Sequence, residues 1–299
     1  MSFIHKKGVN LFARTLLKPF AGMIPKKYHF AINGTITVDL GEGKKMLFHS
    51  NPTSNVFNML FWGGVKGFEY SEFKIFTKLV PQSKLFLDIG ANIGYYSCVA
   101  KKFNPNIVVH GFEPMPSASK YFKNNCTING FDDIKVHQTA LTNFKGEATF
   151  HTNINPKFPN ETDFLYGDNS LNSEATGKIS RVEIKVKTDT LDNFVKDNLS
   201  PEQVIDLIKL DTEGTENLVL EGASNVLSKH RPIIMCEVIK GFIEKEMEII
   251  LRTNNYLFYA VNQNGLVKVN SLQVEKGKLD FFFVPQEKES LVSKLLSSK

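Results

Sequence analysis

LFLDIGANIGYYS, residues 85–97, is the stretch that decides the fold. A short apolar strand with Asp88 near its end runs into Gly90-Ala91-Asn92-Ile93-Gly94 and then into a helical pattern. The chain must turn tightly at the carboxyl end of that strand, where Gly90 and Gly94 permit unusual backbone angles and the close approach of a ligand. In open parallel sheets the ligand crevice lies beside such strand ends, near the switch in strand order.

Outward from this turn, apolar strands alternate with amphipathic helices from residue 84 onward, the signature of an α/β fold whose parallel sheet is covered on both faces. Strands are predicted at 85–89, 107–112, 134–138, 205–210 and 233–238, with late strands at 256–261 and 280–284. Helices are predicted at 94–103, 116–129, 189–198 and 215–229. Residues 151–181, rich in Asn, Ser, Thr, Gly and Pro, break the rhythm and read as a substrate-facing lid. Upstream, 35–49 alternates about Gly41-Glu42-Gly43 as a hairpin, and 55–80 reads as one or two short helices around Gly63-Gly64. The expected division is an extension over 1–83, a principal domain over 84–285 and a tail over 286–299.

With 299 residues, 42% hydrophobic and 22% charged, the composition excludes a disordered chain and a membrane bundle. Cys98, Cys126 and Cys236 are too few to staple a secreted fold and form no metal-binding pair, so they read as buried thiols in a reducing compartment. No leader pattern and no run of about 18 apolar residues stands out. The expected location is cytoplasmic, with the sequons at Asn33, Asn125 and Asn160 as chance matches. The net charge of +5 is concentrated in residues 1–30, which hold Lys6, Lys7, Arg14, Lys18, Lys26 and Lys27 and no acid. A near-neutral remainder weakens any nucleic-acid face. The basic segment also carries Phe3, Ile4, Val9, Leu11, Phe12, Leu16, Leu17 and Phe20, the pattern of an amphipathic helix stopped by Pro19 and Pro25. Packing on the protein's own body or on a second subunit is the favoured reading. The other is peripheral contact with the inner face of an anionic membrane, near a lipid-linked substrate.

The turn has the spacing D-x-G-x-x-x-G, with Asn92 where a dinucleotide fingerprint needs glycine. Asp88 would repel a phosphate and suit a ligand amine. Glu113, 19 residues after Gly94 at the end of the next strand, stands where a ribose diol is held. An amine at one end and a ribose at the other describe S-adenosylmethionine better than NAD.

LFLDIGANIGYYS, VVHGFEPMPSASKYFKNNCTING, HQTALTNFKGEATF, DTLDNF, LIKLDTEGTENLVLEGASNVL and RPIIMCEV, in this order, resemble the FkbM family of S-adenosylmethionine-dependent methyltransferases over roughly residues 84–240. The resemblance implies a class I methyltransferase sheet of seven strands, Rossmann-like, with the last strand antiparallel. It also implies methyl transfer to a hydroxyl of a sugar, glycolipid or glycosylated natural product. On the family pattern Asp88, Gly90, Asn92 and Gly94 line the methionine end, Glu113 the ribose, and Pro114-Met115 with Thr139-Ala140 the adenine. Residues 1–83 lie outside it.

The remaining chemistry-bearing cluster is Lys209, Asp211, Glu213 and Glu216, with Glu237 at the end of the next strand. An alcohol is a poor nucleophile, so a carboxylate that accepts its proton is expected at Asp211 or Glu237. A competing reading has Asp211, Glu213 and Glu237 bind Mg²⁺. Glu213 and Glu216 also fall in the first turn of a helix, where acids are favoured without any chemistry, and Glu216 is assigned to that role. Lys209 reads as a local ion-pair partner. Asn169 and Ser170 in the lid could bond to substrate, and His151 at its entrance is an alternative base. His110 and His137 lie within strands and read as core residues. The aromatics Phe57, Phe61, Trp62, Phe68, Tyr70, Phe73 and Phe76 could stack on a sugar, but packing of the extension on the core is the favoured reading. Set beside sugar O-methylation are N-methylation or a non-sugar acceptor, a nicotinamide-dependent oxidoreductase, and a non-catalytic membrane-surface adaptor.

Overall fold

The computed structural model describes residues 7–153, 157–158, 163–165, 170–171, 181–241, 243–273 and 278–296. The chain opens with helix α1 (Lys7–Leu17), which ends just before Pro19, and a hairpin of β1 (Gly34–Gly41) and β2 (Lys44–Ser50). Its turn is where the glycine spacing places it, with Gly41, Glu42 and Gly43 all at positive φ. Helices α2 (Asn55–Gly63) and α3 (Tyr70–Leu79) follow, as the mixed apolar spacing predicts.

The main sheet then begins with β3 (Leu85–Ile89), α4 (Tyr95–Phe103), β4 (Val108–Phe112), α5 (Pro116–Ile128) and β5 (Lys135–His137). Next come β6 (Ala140–Leu141), β7 (Gly146–Asn153) and β8 (Arg181–Asp189), which form a small separate sheet in the order β6-β8-β7. The chain returns through α6 (Leu191–Asn198), β9 (Leu207–Leu210), α7 (Glu216–Glu221), β10 (Ile233–Ile239), α8 (Glu244–Thr253), β11 (Tyr256–Asn262), β12 (Gly265–Val269) and β13 (Lys278–Pro285).

The large sheet has the order β12-β11-β13-β10-β9-β3-β4-β5. Strands β10, β9, β3, β4 and β5 are mutually parallel, and β13 is antiparallel to both β10 and β11. Those seven strands are the expected ones, and their late antiparallel member is the expected one too. The eighth, β12, folds back on β11 through a two-residue turn that the sequence reading did not separate from it. Two other differences have physical causes. The helix predicted over 215–229 ends at Glu221, because Gly222 must pass against the Thr142 carbonyl, where a Cβ would lie 2.2 Å from the oxygen. Its remainder is a π turn over Val226–His230. The polar stretch 151–181 begins and ends inside β7 and β8 rather than standing as a loop throughout. Asn160, like residues 154–156 and 172–180 of that stretch, lies outside the described residues.

Strand β3 is buried throughout and alternates between two cores. Leu85, Leu87 and Ile89 face the core shared with α6, α7 and α8, while Phe86 faces the core shared with α4, α5 and the first 80 residues. Ile32, Phe48, Phe57, Phe73 and Phe76 belong to that second core, so the aromatics of 57–76 pack as read, with Phe68 and Tyr70 only partly buried. The three cysteines are free and buried. Among the described residues no helix is long and apolar enough to cross a membrane.

Asn125 joins the hairpin to the sheet. It is fully buried, accepts a bond from the His49 amide at 2.7 Å, and donates one to the Ile93 carbonyl at 2.9 Å. Burial alone bars a glycan there. Asn125→Ala strands both backbone groups, and urea unfolding should show a loss of about 3 kcal/mol.

Candidate active site

The loops that follow β3, β4 and β9 meet at the carboxyl edge of the sheet. Gly90 has φ +79° and Gly94 φ +81°. Both are required by the protein's own atoms. A Cβ on residue 90 would lie 1.7 Å from the Asp211 carbonyl oxygen, and one on residue 94 would lie 2.0 Å from the Phe122 ring. Asn92 also adopts a left-handed conformation, at φ +51°.

These loops line a cavity that is continuous with solvent. Its lining includes Asp88, Gly90, Asn92, Glu113, Pro114, Thr139, Ala140, Asp211 and Glu213 from the sequence-derived set. Met115 is buried beside the cavity rather than in its lining, and its amide donates to Glu113 Oε1 at 2.8 Å. The Asn92 amide donates to Glu113 Oε2 at 2.8 Å, so two backbone groups orient the carboxylate. Asp88 is wholly buried, and its Oδ2 accepts from the amide and hydroxyl of Ser97 at 2.9 and 2.7 Å. Its Oδ1 has no partner.

On the far side, the Lys209 ammonium lies 2.6 Å from Asp211 Oδ2 and over the Tyr96 ring. That is the local pairing the sequence suggests. Burial disfavours this ammonium, but Asp211, Glu69 and Asp88 together hold its pKa well above the ordinary value. Glu216 accepts from the Thr212 and Gly214 amides and closes the turn before α7, in keeping with a structural role. Asp211 and Glu237 end adjacent parallel strands, as supposed, and carboxylate oxygens of Asp211, Glu213 and Glu237 lie within 4.8 Å of one another. Glu237 is outside the cavity lining.

His151 is also outside that lining, near Glu183 at 3.6 Å. Its backbone pairs with that of Ser170, whose hydroxyl donates to the Thr212 carbonyl at 3.2 Å. Asn169 lies outside the described residues. Phe150, just before the lid, and Leu171, within it, do line the cavity. His110 and His137 stack on each other between Phe112 and Phe194, and burial, their shared proximity and Lys135 bring His110 down to about 4, as suits core histidines.

Sequence reasoning expects the N-terminal segment to shape the acceptor site, but apart from Phe68 it does not single out the residues of the first 80 that do so. Asn55, Val56, Met59, Phe68 and Glu69 form one wall of the cavity. Six buried polar atoms of its lining lack a hydrogen-bond partner: Glu69 Oε2, Asp88 Oδ1, Asn92 Oδ1, Asp211 Oδ1 and the hydroxyls of Tyr95 and Tyr96. Buried polar groups are normally paired, so this convergence marks a place built for a polar ligand. Its titratable lining, among the described residues and apart from the tyrosines, is five carboxyl groups and one ammonium. Such a lining favours a cation over a phosphate.

The family model described as "Methyltransferase FkbM domain" matches residues 88–261. The curated "Methyltransferase 1" of Beauveria bassiana is 25% identical over 151 residues, 48% of this chain and 59% of that protein. "Methyltransferase sdnD" of Sordaria araneosa is 29% identical over 198 residues, 59% of this chain and 75% of its own length. The solved structure of methyltransferase FkbM from Methylobacillus flagellatus superimposes with a TM-score of 0.40 at 15% identity, over 67% of this chain and 43% of that one.

Glu113 makes the cavity's electrostatics measurable. Burial pushes its carboxyl up to about 7, against the two amide bonds that favour the charged form. The unfolded chain releases this proton near 4.5. Through the window from about 4.5 to about 7 the native state therefore holds the extra proton, and stability falls as pH rises. Glu113→Gln lacks this term. Its thermal midpoint relative to the wild type should climb across that window and level off above it.

Proposed function

Because the chain belongs to the FkbM methyltransferase family, we propose that it transfers a methyl group from S-adenosylmethionine to a hydroxyl of a saccharide or glycoconjugate. The observation that carries this reading is the acid-rich cavity on which unpartnered buried polar atoms converge. Asp88 Oδ1 would receive the ligand ammonium, and Glu113 the ribose diol through lone pairs left beside its two amide bonds. Pro114, Thr139 and Ala140 offer the surface for the adenine. When bound, the sulfonium supplies an electrophilic methyl. The protein's part is to hold the acceptor oxygen in line with it and to receive a proton.

Asp211 and Lys209 form the charged floor of the acceptor side, and Phe68, Phe150 and Leu171 its apolar walls. Apolar faces edged by carboxylates suit a sugar, whose ring presents C–H faces and a hydroxyl rim. An amine acceptor would fit the same carboxylates, which keeps N-methylation as the alternative. A nicotinamide dinucleotide fits worse, since its pyrophosphate would meet Asp88, Glu113 and Asp211. Mg²⁺ is a second reading, supported by the spacing of Asp211, Glu213 and Glu237 and opposed by Lys209, which already neutralises Asp211.

A peripheral position at an anionic membrane is supported by α1 and the turn after it. One face there packs inward through Asn10, Leu17 and Ala21, while Leu11, Phe12, Leu16, Phe20 and Met23 are exposed on the other. Lys18, Lys26 and Lys27 flank that exposed stripe, and such basic charge opposes pairing with a second copy and favours anionic headgroups.

Labelled methyl from S-adenosylmethionine should enter a saccharide or glycolipid fraction of an extract of the source cells. Glu113→Ala should weaken cofactor binding about tenfold or more and remove the label. Failure of the wild type to bind the cofactor overturns the reading, and loss of labelling in EDTA selects the Mg²⁺ variant. In a separate sedimentation assay the chain should bind vesicles of anionic lipid and ignore zwitterionic ones. Phe12→Ser with Phe20→Ser should abolish that binding.

A further inference from the structure

Glu69 begins α3 with φ +40° and ψ +48°, a left-handed conformation that glycine adopts freely and a residue with a Cβ adopts under strain. It occupies the helix N-cap, where a short polar side chain normally accepts a bond from the first turn. The Glu69 side chain makes no such bond, and only its carbonyl enters the helix, accepting from the Phe73 amide at 2.8 Å. The side chain turns into the cavity instead, beside Phe68, Tyr95, Tyr96 and Lys209. There Oε2 is shielded from solvent and has no partner. The Tyr96 hydroxyl approaches this carboxyl without reaching hydrogen-bond geometry. No capping role explains the conformation, which accompanies an unpartnered carboxyl oxygen at the cavity wall.

The other acidic candidates are less available. Asp211 commits Oδ2 to Lys209 at 2.6 Å, and Glu237 does not line the cavity. Glu69 stands in the field of Lys209, Asp211, Tyr96 and Glu72, where burial outweighs the ammonium and pushes its carboxyl up to about 7. A group so placed exchanges protons readily near neutrality.

Resting on the methyl-transfer reading above, we propose that Glu69 is a catalytic residue on the acceptor side, binding the acceptor's O–H or N–H and taking its proton. The acceptor lone pair forms the new bond to the methyl carbon. The carbon–sulfur bond breaks with its electron pair returning to sulfur, which loses its positive charge. The acceptor's proton passes to Glu69 Oε2, and water later removes it. Lys209 and Asp211 hold the neighbouring wall.

Calorimetry on the full chain with two ligands tests this without knowledge of the acceptor. S-adenosylhomocysteine has a neutral thioether at the sulfur, whereas sinefungin carries a protonated amine where the transferable methyl would lie. The wild type should prefer sinefungin. Glu69→Gln should keep its affinity for S-adenosylhomocysteine and lose about tenfold or more for sinefungin. Glu69→Gly, which also relieves the left-handed strain, should show the same selective loss with a thermal midpoint no lower than the wild type. An unchanged sinefungin preference in both variants removes Glu69 from the reacting atoms. A fall in stability and in both affinities together reassigns it to holding the fold, and either result overturns the proposal. A wild type that binds neither ligand overturns the methyl-transfer reading itself and this proposal with it.

Discussion

The carbonyl of Asp211 stands where any side chain on residue 90 would begin, and the rest of the site depends on that contact. It forces the loops after β3 and β9 to meet backbone to backbone. The Asp211 amide donates to the Ile89 carbonyl at 3.0 Å, and the amides of Gly90 and Ala91 both donate to the Phe112 carbonyl at 3.0 Å. The Glu113 amide in turn donates to the His137 carbonyl at 3.0 Å. Four strand ends, β9, β3, β4 and β5, are thereby knitted into one platform. Asp88, Glu113 and Asp211 come from distant parts of the chain, yet their carboxyl groups reach one cavity because their backbones are locked in this way.

A platform that gathers carboxyl groups in a buried space carries an electrostatic burden. Burial raises Asp88, Glu113 and Glu69 above the ordinary carboxyl range, and Lys209 answers only part of that charge. The lid region adds restraint from outside. Residues 163–165 are tied to the first 80 residues and to α5, with the Leu165 amide donating to Thr53 Oγ1 at 2.9 Å and the Ser117 hydroxyl to the Phe164 carbonyl at 2.8 Å. The wall holding Glu69 and the polar stretch are thus fastened to the same edge of the cavity.

Much of this was legible in the sequence, for identifiable reasons. Strand β3 is a buried apolar run ending in a glycine turn, and the alternation after it carries the order of the parallel sheet. Strands β7 and β8 escaped notice because GEATFHTN and RVEIKVKTD alternate with small and charged residues and few large apolar ones. Their period of two is diluted wherever one face meets water. Glu69 escaped for another reason. A glutamate before YSEFKIFTKL reads as an ordinary exposed helix charge, and a φ of +40° leaves no compositional trace. The available signal was negative: no Ser, Thr, Asp or Asn stands at the residue that starts this helix. Asp211 and Glu237 were legible as strand-end acids, but their unequal access to the cavity depends on where the first 80 residues pack.

The position of β13 has a consequence for how the chain is made. Residues 278–285 lie between β10 and β11, so the strand of this sheet that is made last is an inner one. Until it arrives, β10 has an open edge, and the β11–β12 hairpin has nothing to join it to the parallel sheet. A nascent chain halted before residue 278 exposes two unpaired strand edges, the kind of surface that aggregates and that chaperones bind. Closure of the sheet therefore waits for residues 278–285, and the cavity's floor at the end of β9 is braced only once that strand has arrived.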